Sequence, residues 1–246
     1  MAMIAAARVH QLWRTLPIET LTDVIGAGTC LILAPHPDDE SLGCGGLIAQ
    51  CCAESRPPVV AILTDGSGSH PGSQLYPPAK LAALRQHEAA RAVQILGLPQ
   101  DRLFFLRAPD TNAPHAGPAF DAIVQYLAEL VRTFDCSAIL ATWRFDPHCD
   151  HAAAALLASA AARITGILHR SYPVWGWTLP DDTPVDAGPI QGWRLDVTAH
   201  LAAKRRAIAA HASQYGGLIS DDPGGFQLPA ALLLELDGPW ETFLSP

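Results

Sequence analysis

Apolar positions along this chain fall into two patterns, and their alternation predicts the architecture. Short unbroken runs of aliphatic and β-branched residues, at 29–34, 58–64, 102–106 and 137–141, read as buried strands. Between them lie longer segments with helical spacing; Leu81, Leu84, Ala92 and Ile95 mark one face of a helix predicted over 79–96 and stopped by Gly97 and Pro99. Further helices are predicted from Gly43 to about residue 53, over 120–134, and over 151–165, where alanines suit close packing on a sheet. Residues 9–25 read as a leading helix or helix pair broken at Pro17. Strands alternating with helices of this length make an α/β protein with a largely parallel sheet flanked by helices.

Beyond about residue 170 the pattern loosens. Residues 169–178 and 193–197 read as strands on either side of a Pro- and Asp-rich turn, and 198–212 as a helix capped by Thr198. The glycines of 216–225 suggest a mobile flap, and 232–236 a closing strand or short helix. No linker divides the chain, so residues 1–246 are read as one domain with a C-terminal elaboration.

The first strand runs into Pro35-His36-Pro37-Asp38-Asp39-Glu40-Ser41. Prolines on both sides of His36 cannot continue a ladder, so the chain leaves the sheet there. His36 and the carboxylates therefore sit at a strand's C-terminal end, the edge where open α/β sheets bind ligands. A catalytic zinc takes three protein ligands and keeps a position open for water. His36 and Asp39, three apart on a turn entering a helix, can reach one ion together, which leaves Asp38 beside it as a base for water. A second strand-loop-helix unit, Asp146-Pro147-His148-Cys149-Asp150-His151, supplies the missing ligand. His148 and His151 are also three apart; His151 is assigned to the metal and His148 to the substrate side, with Asp150 accepting its other ring proton.

Together these motifs resemble the PIG-L (LmbE-like) family of zinc-dependent de-N-acetylases. The similarity extends through Thr64-Asp65-Gly66, Arg85 with Glu88, and Lys204 to His211-Ala212-Ser213-Gln214. The resemblance implies a Rossmann-like fold and hydrolysis of an acetamido group, commonly on an N-acetylglucosaminyl substrate. It implies zinc, or another divalent metal, on His36, Asp39 and His151, with Asp38 as general base. Two positions depart from the pattern: Cys149 stands where relatives often carry proline, and Asp146 where some carry a tyrosine thought to assist the oxyanion. His148 then becomes the better candidate for that role.

Other polar residues admit two readings each. Arg85 and Glu88 share a helix face and form either a surface ion pair or, for Arg85, a substrate contact. Asp65, following a strand end, is a candidate to orient His36 or His151; His211 and Gln214 are candidates for the pocket rim. His70, in the loop 65–72, reads as a solvated histidine. Trp175, Trp177 and Trp193 read as half-buried packing rather than a stacking wall for a sugar. Lys204, Arg205 and Arg206 read as a solvated face.

Composition narrows the partners. A net charge of −8 lacks the basic footprint that phosphate contacts require, which argues against nucleic acid. Hydrophobic residues make up 49% and charged residues 16%, which argues against disorder and leaves a rather apolar surface open to subunit contacts. No apolar run is long enough to span a bilayer, and the six cysteines lack paired spacing, which fits a soluble, cytoplasmic protein. The glycines at 43–46 do not complete GxGxxG, because residue 48 is Ile. A nucleotide-dependent oxidoreductase is therefore set aside. The remaining choice lies between a hydrolase of N-acetylated small molecules and a metal-containing sugar-binding protein of the same fold that turns over weakly; keeping Asp38 beside the metal favours the hydrolase, since a structural site gains nothing from that carboxylate.

Overall fold

The computed structural model describes residues 3–186 and 188–245. A short N-terminal section, β1 (Ile4–Ala5), α1 (Ala6–Thr15), β2 (Ile18–Glu19) and α2 (Leu21–Ile25), leads into the central unit. That unit is β3 (Thr29–Ala34), α3 (Asp39–Ala53), β4 (Val59–Thr64), α4 (Pro78–Ile95), β5 (Leu103–Ala108), α5 (Gly117–Thr133), β6 (Cys136–Thr142), α6 (Cys149–Thr165) and β7 (Leu168–Tyr172). The elaboration contains β8 (Pro184–Val185), β9 (Gly192–Asp196), α7 (Leu201–Ala210), α8 (Ala212–Tyr215), α9 (Ala230–Leu236) and β10 (Trp240–Leu244).

Strands of the main sheet lie in the order β2-β9-β10-β7-β6-β3-β4-β5, and β1 pairs separately with β8. The pairs among β3 to β7 are all parallel. Their apolar runs are continuous because helices cover both faces. Alternate residues of β3 go to opposite sides: Ile32 and Ala34 pack with α3, α4 and α7, whereas Leu31 and Leu33 pack with α5 and α6. From β3 the chain steps outward through β4 and β5, then returns to place β6 on the other flank of β3. The β3–β6 boundary is thus a topological switch point, where the loops diverge and open a crevice.

The glycines at the start of α3 have packing reasons: a Cβ at Gly43 would strike the Tyr172 ring, and one at Gly46 the Val197 side chain. Both contacts press the helix that carries Asp39 against the sheet.

The C-terminal third departs most from expectation. The strand expected over 169–178 stops at Tyr172, where Pro173 ends the ladder, and Trp175–Thr178 forms a helical turn instead. Residues 232–236 are helical, as part of α9, and the chain continues into β10, which the sequence reading missed. β10 wedges between β7 and β9, antiparallel to both. Thr198 does not cap a helix through its side chain; its N–H is accepted by Asp196 Oδ1 at 2.9 Å, and α7 begins only at Leu201. Lys204 is not on a solvated face: it is 1% exposed and pairs with Glu241 Oε1 at 2.8 Å. Glu241 also accepts the N–H groups of Gly46 (2.7 Å) and Leu47 (2.8 Å), so β10 fastens α3 from behind.

Nor does 216–225 hang free. Asp221 accepts Ser73 Oγ–H and the N–H groups of Gln74 and Leu75, Asp222 accepts the N–H of Gly72, and Phe226 N–H donates to Ser69 O. The segment is a strap tied across the loop after β4, and it covers His70, which is 3% exposed rather than solvated.

Candidate metal centre and active site

β3 delivers His36, and the first turn of α3 delivers Asp39; β6 and the loop after it deliver His148, Asp150 and His151 at the start of α6. The switch point brings the two groups together. Asp39 Oδ2 lies 3.1 Å from His36 Nδ1 and 3.2 Å from His151 Nε2, with the His36 N–H donating to the same oxygen at 3.0 Å.

Each imidazole is turned toward this point by a carboxylate on its far side. His36 Nε2–H faces Asp150 Oδ2 at 3.2 Å and Asp110 Oδ1 at 3.4 Å. His151 Nδ1–H donates to Asp146 Oδ2 at 3.0 Å. A carboxylate can only accept, so in neutral rings whose inner nitrogens are to ligate a cation these outer contacts hold the proton on Nε2 of His36 and on Nδ1 of His151. The lone pairs then available in the neutral rings, on His36 Nδ1 and His151 Nε2, converge with Asp39 Oδ2. His151 Nε2 is buried and, among the described residues, has no hydrogen-bond partner. Two imidazoles oriented by outer carboxylates, one anionic oxygen between them and one orphaned nitrogen fit a divalent cation. His148 also stands close: ring nitrogens of His36, His148 and His151 lie within 4.8 Å of one another, as do ligand atoms of His36, Asp110 and Asp150.

The charges follow this geometry. Burial opposes a proton on His151, but Asp39 and Asp146 outweigh it and raise its pKa to about 9. Burial likewise opposes charge on His36, yet Asp110, Asp150 and Asp39 hold its pKa well above the ordinary imidazole value. Asp39 is driven well below the carboxylate range by His151 and His36 despite its burial. Without a cation, protons on the two rings hold the Asp39 carboxylate in its place.

Asp38 precedes Asp39 but points elsewhere. Its backbone has φ 155° and ψ −29°, a setting rarely adopted by non-glycine residues, and its N–H is accepted by Glu40 Oε2 at 3.0 Å. Asp38 is buried, 4% exposed, and burial raises the pKa of its carboxyl to about 6, with Arg85 pulling in the opposite direction. Arg85 Nη2 donates to Asp38 Oδ2 at 3.2 Å and to Pro37 O at 3.0 Å, while Nη1 donates to Gly66 O at 3.0 Å. The surface ion pair with Glu88 is thereby overturned. Both side chains point inward from α4, and Glu88 instead accepts Ser213 N–H at 2.8 Å and Ser213 Oγ–H at 2.6 Å.

His148 stands at the N-cap of α6, and its Nδ1 accepts the backbone N–H of Asp150 at 3.2 Å. The expected bond from the His148 ring to the Asp150 carboxylate is absent, because the free N–H of the first helical turn occupies that nitrogen. The Asp150 carboxylate turns to His36 and to the N–H groups of Thr111 (2.7 Å) and Ala113 (2.9 Å), tying the loop after β5 to the site. With Nδ1 accepting, the neutral His148 ring carries its proton on Nε2. Burial and the neighbouring His36 and His151 lower its pKa, so the neutral form prevails.

A cavity of about 190 Å³ opens over these residues. Its lining includes His36, Asp38, Asp39, Arg85, Asp110 and His148, and its far wall is built by Ser69, Gln214, Trp175 and Phe226. Trp175 and Phe226 meet edge to face, with ring centroids 5.5 Å apart. Of the three tryptophans considered from sequence only Trp175 reaches the cavity; Trp177 packs edge-on against Trp13, and Arg170 stacks over Trp193. Asp65 does not orient a histidine, since its Oδ1 accepts the N–H of Ser67 in a local turn. His211 is not at the rim: it is 0% exposed, and its Nε2 faces Glu40 Oε1 at 3.1 Å beneath the site. Asp146 and Asp110 hold the roles sought for Asp65. Asp146 was recognised only as a departure from a pattern, although a buried carboxylate on the loop before two histidines is a standard orienting partner.

Against this geometry, the family description for PIG-L, GlcNAc-PI de-N-acetylase, matches residues 31–162, and the chain belongs to that family of de-N-acetylases, which are hydrolases. One curated relative is the 2'-N-acetylparomamine deacetylase of Streptomyces fradiae, 28% identical over 146 residues, or 55% of this chain and 52% of the relative; the chain matches about half of that relative's length. Another is the 1D-myo-inositol 2-acetamido-2-deoxy-alpha-D-glucopyranoside deacetylase of Rhodococcus jostii (strain RHA1), 28% identical over 237 residues, covering 75% of this chain and 80% of the relative. Several solved deacetylases share the fold, with TM-scores from 0.61 to 0.66. So does GalB, the 4-carboxy-2-hydroxymuconate hydratase of Pseudomonas putida KT2440, with a TM-score of 0.58 and 23% identity over 76% of this chain and 80% of that one. The fold alone therefore does not fix the reaction. No helix among the described residues is long and apolar enough to cross a membrane.

Proposed function

We propose that this protein hydrolyses the acetamido group of an N-acetylated amino sugar or sugar conjugate, releasing acetate and the free amine. The observation that carries the reading is the convergence of His36 Nδ1, His151 Nε2 and Asp39 Oδ2, with His36, Asp39 and Asp38 lining one cavity. His36, Asp39 and His151 would hold a divalent cation, read as zinc, which supplies a Lewis acid for the acetyl carbonyl and acidifies water.

The remaining work falls to the chain's own groups. Asp38, with a pKa of about 6, is mostly ionised at neutral pH yet basic enough to take a proton from the attacking water. Arg85 occupies Oδ2 of that carboxylate, which leaves Oδ1 for the proton. The neutral His148, protonated on Nε2, donates to the oxygen on which negative charge grows. As the C–N bond breaks, the proton gathered by Asp38 passes to the departing amine. Trp175 and Phe226 offer an apolar wall of the kind that packs against a sugar ring.

The test is release of free amine from a panel of N-acetylated amino sugars, their conjugates and N-acyl amino acids, with metal content measured on the same sample. Amine release from the sugars by metal-loaded protein is expected. Metal-loaded protein that binds the sugars but releases no amine would leave the sugar-binding alternative in its place.

A further inference from the structure

Gln214 lines the cavity wall, is 0% exposed, and leaves its Oε1 buried without a hydrogen-bond partner among the described residues. Its amide orientation is fixed by chemistry on the other side. Ser213 Oγ–H donates to Glu88 Oε2 at 2.6 Å, so that hydroxyl proton is committed and the oxygen can only accept; Gln214 Nε2 donates to it at 2.9 Å. Ser69 Oγ lies 3.1 Å from His70 Nδ1 and 3.2 Å from Gln214 Nε2, which satisfies both contacts when the hydroxyl donates to the imidazole and accepts from the amide. Two acceptors therefore claim the NH₂ end. The carbonyl end is left as an acceptor with no donor, and such a buried atom costs free energy until something supplies one. The main chain holds the residue in place as well, because Gln214 O accepts Leu228 N–H at 2.8 Å just beyond the strap.

We propose that Gln214 is a specificity-determining residue whose carboxamide oxygen accepts a hydrogen bond from one hydroxyl of the sugar, with Glu88, Ser213 and Ser69 locking the amide in the accepting direction. This rests on the deacetylase reading. It names the substrate feature recognised on the wall that Gln214 shares with Trp175 and Phe226: a donor group on the ring, not an acceptor such as an ether or fluorine.

The decisive experiment measures kcat and KM of the metal-loaded wild-type protein and Gln214→Leu on the best N-acetylated sugar of the panel and on analogues with each hydroxyl replaced in turn by hydrogen or fluorine. In the wild-type protein one position is expected to lose roughly ten- to a hundredfold in kcat/KM with either replacement, the scale of one neutral hydrogen bond to a buried partner. Gln214→Leu should lose as much on the parent sugar and be nearly indifferent to that replacement. Wild-type data alone keep the proposal falsifiable should the variant fold poorly, since a fluorine tolerated at every position means that no donor is read. Turnover with no position shielded by Gln214 overturns this assignment and leaves the deacetylase reading standing. Absence of amine release from every sugar removes both.

Discussion

His151 Nδ1 and Asp146 Oδ2 lie 3.0 Å apart in a fully buried contact, and the same carboxylate accepts the N–H groups of Val174 (3.0 Å), Trp175 (3.1 Å) and Gly176 (2.7 Å, to Oδ1). One side chain thus sets the ring of a candidate metal ligand and shapes the turn that carries Trp175 into the cavity. The strand expected over 169–178 could not have done this, because a ladder would have consumed those N–H groups.

Asp146→Asn is therefore expected to weaken metal retention by about 10- to 100-fold, the scale for losing an orienting carboxylate. The amide keeps an acceptor oxygen for either the ring or the turn, not for all four donors. Chelator competition measures the first effect. A lower Tm of the metal-free variant reports the second; wild-type metal affinity in Asp146→Asn would show that the ring needs no outer support.

Asp38→Asn should separate the base from the ligands. The Asp38 carboxyl touches Arg85 and not the His36–Asp39–His151 point, so metal content should stay at the wild-type level while turnover falls by roughly 10²–10⁴. Elemental analysis and kcat on one preparation decide it. Undiminished turnover would assign proton transfer to another group.

The same two motifs show what was legible in the sequence. Residues 29–34 form their strand as read, because an apolar run leaves little choice; the helix read from Gly43 to about residue 53 begins about one turn earlier, at Asp39, and the prolines around His36 fixed where the chain leaves the sheet. Glu88 and Lys204 were misread, and the ion-pair alternative for Arg85 fell, because helical spacing says which residues share a face but not whether another layer covers it. The cover comes from α7, α8 and β10, the irregular part of the chain. Asp146 holds the role expected of Asp65 for a related reason: both follow strands, and only the register of the loops decides which carboxylate meets an imidazole.

His148 and Asp150 now carry different expectations. His148→Ala should keep its metal and lose kcat far more than KM, because the Nε2–H acts where charge develops rather than in the bound ground state. Asp150→Asn should instead loosen His36 and the loop tied through Thr111 and Ala113, which lowers metal affinity and raises KM. If His148→Ala empties the site while His151→Ala leaves it full, the two histidines exchange roles, an outcome the proximity of all three rings makes worth measuring.

Protons and the cation compete for the same nitrogens, which gives the site a pH dependence with a definite sign. The folded metal-free protein holds His151 with a pKa of about 9 against an ordinary value of 6.5, so its charged contacts with Asp39 and Asp146 stabilise the fold fully below about pH 6.5. That contribution is lost as pH rises toward 9, and His36, also raised, adds a loss of the same sign. The Tm of the metal-free protein should therefore fall across this window. Metal uptake runs the other way: the ligating rings must be neutral, so binding near pH 7 releases protons and the apparent affinity climbs as pH approaches 9. Thermal unfolding with and without metal, at matched ionic strength from pH 6 to 9, should show two curves that diverge as pH rises. Parallel curves would mean that the two imidazoles are already neutral at pH 6 and that no proton holds the metal-free site together.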